Sequence, residues 1–139
     1  MFLTFFPAAL SQVRNESPEV DILESVFRYE VARCMTDRAV EMYFLSYRKQ
    51  DPNDVLIARL ASRRLRVKRR SQMSQLKDKD TGKWSIRVDV SQIELRGDRR
   101  ADARASCYAG NLDGSSFSYR LVLRNRRWIV TRRKLVGFA

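Results

Sequence analysis

The chain of 139 residues contains no histidine, two cysteines and five glycines. Without histidine it lacks the side chain that most often serves as a general base near neutral pH and that most often binds metals. The glycines form no G-x-x-x-x-G-K-[ST] loop, G-x-G-x-x-G turn or G-x-S-x-G turn. We therefore predict no catalytic residues, no metal site and no cofactor, although acid-base chemistry by carboxylates or tyrosine leaves an enzyme open.

The two cysteines, Cys34 and Cys107, fall on a predicted helix and a predicted strand. Two are too few for a disulfide framework, and free cysteine is among the most buried residue types, so we expect two buried thiols. A helix packed on the sheet could also bring the two sulfur atoms together in a single disulfide.

Long apolar runs are absent as well. No run reaches the roughly 18 apolar residues of a membrane-spanning helix, so we predict no transmembrane segment. Residues 1–13 are apolar but lack the basic start of a secretory signal. We interpret residues 1–16 as a flexible or signal-like tail and residues 17–139 as one domain. The protein is then cytoplasmic or, if residues 1–13 are an atypical signal, exported.

Positive charge, in contrast, is abundant and unevenly distributed. Residues 1–62 contain 7 Lys and Arg against 9 Asp and Glu, whereas residues 63–139 contain 21 against 7, and the net charge is +12. A field of this strength favours anionic partners such as nucleic acid, acidic lipid or acidic protein. A generally Arg-rich composition without a specific partner is the alternative.

The first predicted helix starts with Ser17 as N-cap and Pro18 at the first helical position, and it runs to about Met35. Its buried stripe follows the i, i+3, i+4 spacing. The stripe consists of Leu23, Val26, Phe27, Val31 and Cys34. Glu30 lies near its edge, where we expect a partly exposed side chain paired with an arginine, the alternative being a functional acid.

Residues 39–47 predict a strand, with a helix as the alternative, and a short second helix follows from Asp51 as cap, with Pro52 at its first position, to about Ala61. Residues 63–70 alternate apolar with cationic side chains, which predicts a strand that continues to about Leu76. Its cationic face either protects a sheet edge or binds nucleic acid.

Four alternating runs between residues 84 and 136 predict an antiparallel sheet with one buried face. A slip of phase near Ser91 and Gln92 predicts a bulge in its first strand, and Asn125 and Arg126 predict a tight turn before its last, residues 128–131.

Ala101, Ala103 and Ala105 share the inner face of this sheet and leave room for the first helix or, alternatively, for a ligand cavity. The candidate residues lining that cavity are Phe27, Trp84, Ile86, Cys107, Tyr119 and Trp128.

The outer face of the sheet is predicted to be cationic. The candidate anion-binding residues are Arg64, Arg66, Lys68, Arg70, Arg87, Arg104, Arg120 and Arg124, with Arg132 and Arg133 as further cations. We expect Asp89, Glu94 and Asp102 to point to solvent. Most strand aromatics fall on the inner face, which argues against a platform for stacking bases.

The order of elements is helix, strand, short helix, then long antiparallel strands. This order resembles the α+β roll of cystatin-like and nuclear-transport-factor-2-like domains. The segments V-F-R-Y at 26–29, Y-F-L-S at 43–46, D-P-N-D-V-L-I-A-R-L at 51–60 and D-K-D-T-G-K at 78–83 are similar to small uncharacterised bacterial proteins. The resemblance implies an α+β fold with an N-terminal helix packed on a curved antiparallel sheet and one short extra helix. The chain lacks the Q-x-V-x-G hairpin of inhibitory cystatins and the histidine that many catalytic members of the second group use.

We therefore expect a non-catalytic binding or assembly module whose cationic sheet face meets an unknown protein partner or an anionic surface, with a homodimer through the sheet as one arrangement. Sequence-independent nucleic-acid binding through residues 63–70 is the first alternative. A small-molecule carrier or enzyme with a cavity between helix and sheet is the second.

Overall fold

A computed structural model of the protein describes residues 18–34, 42–74, 77–80, 82, 85–109 and 114–138. An N-terminal helix, a large sheet and a short second helix confirm the predicted α+β class. The helices are α1 (Glu19–Arg33) and α2 (Asp54–Ser62). The strands are β1 (Tyr43–Tyr47), β2 (Val67–Arg69), β3 (Met73–Ser74), β4 (Lys77–Asp78), β5 (Ile86–Leu95), β6 (Arg100–Tyr108), β7 (Gly114–Arg124) and β8 (Arg127–Phe138). Neither described helix is long and apolar enough to cross a membrane.

Helix α1 is shorter than predicted at both ends. Pro18 occupies the N-cap position rather than the first helical position, and the predicted cap Ser17 and tail, residues 1–16, lie outside the described residues. Acidic side chains in the first turn and Arg33 in the last complement the helix dipole. The helix ends at Arg33 because Cys34 adopts an extended backbone, with ψ at 121°.

Helix α2 is capped by a different residue from the one predicted. The Asn53 side chain accepts a hydrogen bond from the Leu56 N–H at 2.9 Å. The predicted cap, Asp51, lies two residues earlier and accepts the Ser71 N–H at 2.9 Å and the Ser71 hydroxyl at 2.5 Å instead. Pro52 therefore precedes the cap. Both Asp51 and Asn53 are good capping residues, and the choice between them depends on the tertiary contact to Ser71.

Six strands form one sheet in the order β2-β1-β5-β6-β7-β8. Strands β5 to β8 are an antiparallel meander, as predicted. Strand β1, however, pairs in parallel with both β2 and β5, so the sheet is mixed rather than wholly antiparallel. Helix α2 lies between β1 and β2 in sequence and provides the crossover that a parallel pair requires. Residues 39–41 of the first predicted strand lie outside the described residues.

The basic segment 63–70 is not one strand. Only Val67–Arg69 joins the large sheet, and a 3-10 turn at Arg70–Gln72 follows. Strands β3 and β4 then form a separate antiparallel pair, and residues 75–76 lie outside the described residues. Of the strand predicted from residue 63 to about residue 76, the part at Val67–Arg69 is confirmed, and a single continuous strand is wrong because the chain turns out of the sheet after Arg69.

The meander contains three register shifts. One lies between Val90 and Gln92 of β5, which confirms the predicted bulge. Two more lie in the β7–β8 pair, at Thr131 and Val136, which have no partner residue on β7. The turn before β8 uses positive φ at Asn125 (51°) and Arg126 (63°), the geometry of a tight hairpin. Strand β8 is longer than the predicted segment 128–131.

The hydrophobic core lies between α1 and the inner face of the sheet. Helix α1 packs across β5, β6 and β8, and its Val26 and Phe27 are fully buried. Ala101, Ala103 and Ala105 are buried in the same cluster, so the small residues of β6 accommodate the helix, as predicted. Burying a side chain such as Phe27 stabilises the fold by about 1.5–3 kcal/mol.

Cys34 and Cys107 form a disulfide, with their Cα atoms 6.3 Å apart. The expectation of two free thiols was wrong, because the end of α1 lies directly against β6. The Glu30 carboxylate lies within 4.8 Å of both sulfur atoms. With the sulfurs bonded to each other, this cluster lacks the thiolates that a metal ion would require.

Replacing both cysteines, by Cys34→Ser and Cys107→Ser, should lower the free energy of unfolding. The disulfide closes a loop of 73 residues, and constraining a loop of that length in the unfolded chain is worth about 4 kcal/mol. Urea denaturation with and without a dithiol reductant measures the loss. The reductant should destabilise the wild-type protein and leave the double variant unchanged. A wild-type urea midpoint that is the same with and without the reductant would contradict the disulfide.

Candidate anion-binding site

The outer face of the sheet, opposite α1, displays polar side chains in rows that cross the strands. Because Ala103 and Ala105 of β6 face the helix, Arg104 between them faces outward. The strand register places Arg104 beside Gln92 of β5 and Ser118 of β7, and Ser118 beside Lys134 of β8.

A second row lies two residues along the strands. Glu94 of β5 pairs with Asp102 of β6, Asp102 with Arg120 of β7, and Arg120 with Arg132 of β8. The charges in this row are therefore segregated, with both acids at the β5–β6 end and both arginines at the β7–β8 end.

The two rows line a concave cleft of about 390 Å³. We call its basic part the cationic cleft, defined by Arg104, Ser118, Arg120, Arg132 and Lys134. All four basic side chains are exposed. With neighbouring strands about 4.8 Å apart, they rise from a patch about 10 Å across.

Among the described residues, most of this positive charge has no acidic partner. Arg120 Nε lies 4.0 Å from Asp102 Oδ1. Within the part of the chain that the structure describes, Arg104, Arg132 and Lys134 have no carboxylate within the same distance. Arg120 and Arg132 are also direct cross-strand neighbours, and like charges in that position destabilise a sheet. A bound anion would remove this repulsion.

The acidic corner of the cleft is partly neutralised by Arg96. Its Nε lies 2.9 Å from Asp102 Oδ2, and its Nη2 lies 3.3 Å from Glu94 Oε2. The hydrogen bond to Asp102, and then the charge of Glu94, raise the pKa of Arg96. The three side chains together keep a net charge of −1, opposite in sign to the cationic cleft.

Only two of the eight predicted anion-binding residues, Arg104 and Arg120, lie in the cationic cleft. Arg87 is on the outer face, but its guanidinium stacks on Tyr108 at 4.4 Å from the ring centroid. Arg124 lies beside Arg127 at the hairpin end of β7 and β8.

The other four lie on the basic segment, away from the cleft. Lys68 Nζ binds Asp78 at 3.0 Å and Asp80 at 2.8 Å. Arg70 donates to the Lys49 carbonyl oxygen at 3.2 Å. Arg64 lies in the turn after α2 with positive φ, and Arg66 is exposed beyond it.

Lys134 is absent from the predicted anion-binding residues because a bulge hides the alternation of β8. Trp128 and Val130 face the core, so uninterrupted alternation would place residue 132 inward and residue 133 outward. The extra residue Thr131 reverses the order. Arg133 consequently enters the core beside Tyr119, whereas Arg132 and Lys134 face the cleft. The extension of the basic run beyond residue 131 is the one sequence signal that could have identified Lys134.

On the other side of the sheet, Glu30, Tyr119 and Arg133 form a buried network. Arg133 Nη2 lies 2.9 Å from Glu30 Oε2, and Arg133 Nε lies 3.0 Å from the Tyr119 hydroxyl, which itself donates a hydrogen bond to Glu30. Glu30 is fully buried, so the expectation of a partly exposed side chain was wrong. Its pairing with an arginine was predicted, although Arg133 was not named as the partner. Burial, and then the charge of Glu30, raise the pKa of Tyr119.

The described cavity candidates belong to the packed core. Phe27, Ile86, Cys107, Tyr119 and Trp128 are each less than 8% exposed, and they form part of one apolar cluster. The sixth candidate, Trp84, lies outside the described residues.

Asp89 does not point to solvent as predicted. It is 9% exposed, and it accepts the Ser46 hydroxyl at 2.5 Å and the Lys49 N–H at 3.1 Å. These contacts are non-local and could not be read from strand alternation. Glu94 and Asp102 do reach solvent, in the acidic corner of the cleft.

No protein-family model matches the chain, and no curated protein or solved structure is significantly similar to it. The resemblance to cystatin-like and nuclear-transport-factor-2-like rolls therefore stays a prediction.

Replacing Tyr119 with Phe should lower the free energy of unfolding by about 2 kcal/mol at pH 7, because a buried hydrogen bond to a charged group is lost. It should also change the alkaline response. In the wild type, the unfolded phenol ionises near pH 10 while the folded one stays protonated, so stability falls as pH rises above that value.

Urea denaturation of both proteins at pH 7, 10 and 11 tests this. The fall in stability above pH 10 should be smaller in the variant, which has no phenol at this position. An equal fall in the two proteins would mean that Tyr119 does not contribute to it.

Proposed function

We propose that this protein is a non-catalytic binding module that holds an anionic partner on the outer face of its sheet. The observation that carries the proposal is the cationic cleft, where four exposed basic side chains surround Ser118 in one concavity. Hydrogen bonding between neighbouring strands fixes the backbone positions from which these side chains extend, so no backbone has to be ordered when a ligand binds.

A binding role is favoured over catalysis because the acid and phenol best placed for proton transfer are engaged with each other. Glu30 and Tyr119 are hydrogen-bonded together and to Arg133 in the core. In the cleft, Glu94 and Asp102 contact Arg96. Glu30 and Tyr119 are therefore closed to solvent, and the two carboxylates that do face the open cleft are engaged by an arginine.

The cleft also bears on the proposed homodimer. A second copy placed face to face on the sheet would bring two cationic clefts together, and repulsion between like charges would oppose that arrangement. An acidic partner of another kind fits this face better than a second copy of the chain.

Nucleic-acid binding through residues 63–70 is less well supported. Two cations of the segment are held internally, Lys68 by Asp78 and Asp80, and Arg69 by Asp54. Tyr108 on the outer face is covered by Arg87 rather than free to stack on a base.

The disulfide supports the exported alternative for the compartment. Disulfides persist in oxidising compartments, whereas cytosolic thiols are usually kept reduced. Cys34 and Cys107 are each less than 4% exposed, which fits a structural bond better than a redox-active one. Trapping free thiols at lysis of the native cells should leave the chain unlabelled, and labelling at both cysteines would contradict export.

The proposed function is tested by two variants that change the net charge by the same amount. Arg132→Glu with Lys134→Glu reverses two cations of the cationic cleft, and Arg64→Glu with Arg66→Glu reverses two on the basic segment. On immobilised heparin, a sulfated polyanion, the cleft variant should elute at much lower salt than the wild type, and the segment variant only slightly earlier. Thermal unfolding checks that both remain folded.

Equal elution of the two variants would show that net charge alone drives retention, and the proposal would fail. Earlier elution of the segment variant would favour residues 63–70 instead. A separate anisotropy titration with random-sequence DNA tests the nucleic-acid alternative. No binding at 50 mM salt would exclude nucleic-acid binding, because phosphate contacts are strongest at low salt.

A further inference from the structure

We propose that the cationic cleft recognises the phosphate group of a small phosphorylated molecule whose remaining part carries hydroxyl or amine donors. This inference rests on the proposed function and names the ligand class of the same site. It follows from the size of the cleft, the number of its cations and the separation of its charges.

The size of the cleft suits a small ligand. Its volume of about 390 Å³ falls within the range of roughly 300–1,000 Å³ typical of small-molecule sites. The four basic residues extend from three neighbouring strands, over a patch about 10 Å across, so a single phosphate group placed near Ser118 is within reach of more than one of them. The remaining volume leaves room for an organic group of the size of a sugar.

The number and type of donors favour phosphate over carboxylate. Three arginines and a lysine line the cleft together with Ser118, whose neutral hydroxyl can donate one further hydrogen bond. A phosphate ester carries nearly two negative charges and three terminal oxygens, and arginine binds it through paired N–H donors. A planar carboxylate has one charge and two oxygens, so it would leave more of these cations without a partner.

The separation of charges favours a ligand with two unlike ends. Glu94 and Asp102 occupy the β5–β6 end of the cleft, where together with Arg96 they keep a net charge of −1. A long uniform polyanion crossing the strands would also meet these acids, so it would gain less here than a short anion that contacts only the cations. A hydroxyl or amine group at that end could instead donate hydrogen bonds to their carboxylate oxygens.

Isothermal titration at pH 7.5 and constant ionic strength tests the inference with four compounds: ribose 5-phosphate, inorganic phosphate, succinate as a dicarboxylate dianion, and ribose. We expect ribose 5-phosphate to bind at least threefold more tightly than inorganic phosphate. Both should bind at least fivefold more tightly than succinate, and ribose should show no binding.

Two variants separate the two ends of the site. Arg132→Glu should weaken the binding of both ribose 5-phosphate and inorganic phosphate by at least tenfold. Asp102→Asn should leave inorganic phosphate bound as tightly as before, or more tightly because a negative charge is lost, and should reduce the advantage of ribose 5-phosphate over it. Thermal unfolding confirms that each variant is folded.

The outcomes distinguish this inference from the proposed function. Equal affinity for succinate and phosphate would overturn the phosphate preference while leaving an anion-binding module. Equal affinity for ribose 5-phosphate and inorganic phosphate, or an unchanged ratio in Asp102→Asn, would overturn the role of the acidic corner. If none of the anions binds while heparin retention still depends on the cleft, the small-ligand inference fails alone; if heparin retention is also insensitive to the cleft, both fail.

Discussion

A single long helix covers only one face of a six-stranded sheet. The difference between the apolar inner face and the charged outer face follows from this constraint. The inner face can be apolar because α1 packs across it, with the β6 alanines giving the helix room. The outer face of β6 to β8 is not covered by any described helix and must remain compatible with water. The sequence meets this requirement with charge, most of it positive, and the cationic cleft is part of that surface.

At the cleft, the division between the two faces depends on one of the two extra residues of β8. Thr131 reverses the alternation of the strand, so that Arg133 reaches Glu30 and Tyr119 in the core while Arg132 and Lys134 reach the cleft. The buried network and the candidate site are thus linked by register. Loss of one buried partner would leave an uncompensated charge in the core, which is strongly destabilising. The network therefore favours the register that also assembles the cleft.

Much of the fold could be predicted from the sequence because local patterns determine it. The stripe on α1, the alternation of β5 to β7, the bulge after Val90 and the turn at Asn125 and Arg126 are visible within short windows. Features that depend on distant contacts could not be read in this way. They include the Asn53 cap, the parallel pairing of β1, the disulfide, and the burial of Glu30 and Asp89. The site was half predictable, since Arg104 and Arg120 follow from alternation and Lys134 does not.

Preferential binding of anions in the cationic cleft of this strongly basic protein can be mapped by a two-dimensional NMR titration of the ¹⁵N-labelled protein with inorganic pyrophosphate, compared with sodium chloride at the same ionic strength. The largest chemical-shift changes are expected at the amides of Arg104, Ser118, Arg132 and Lys134. Changes that are largest in residues 63–70, or no larger than those caused by sodium chloride, would contradict preferential binding in the cleft.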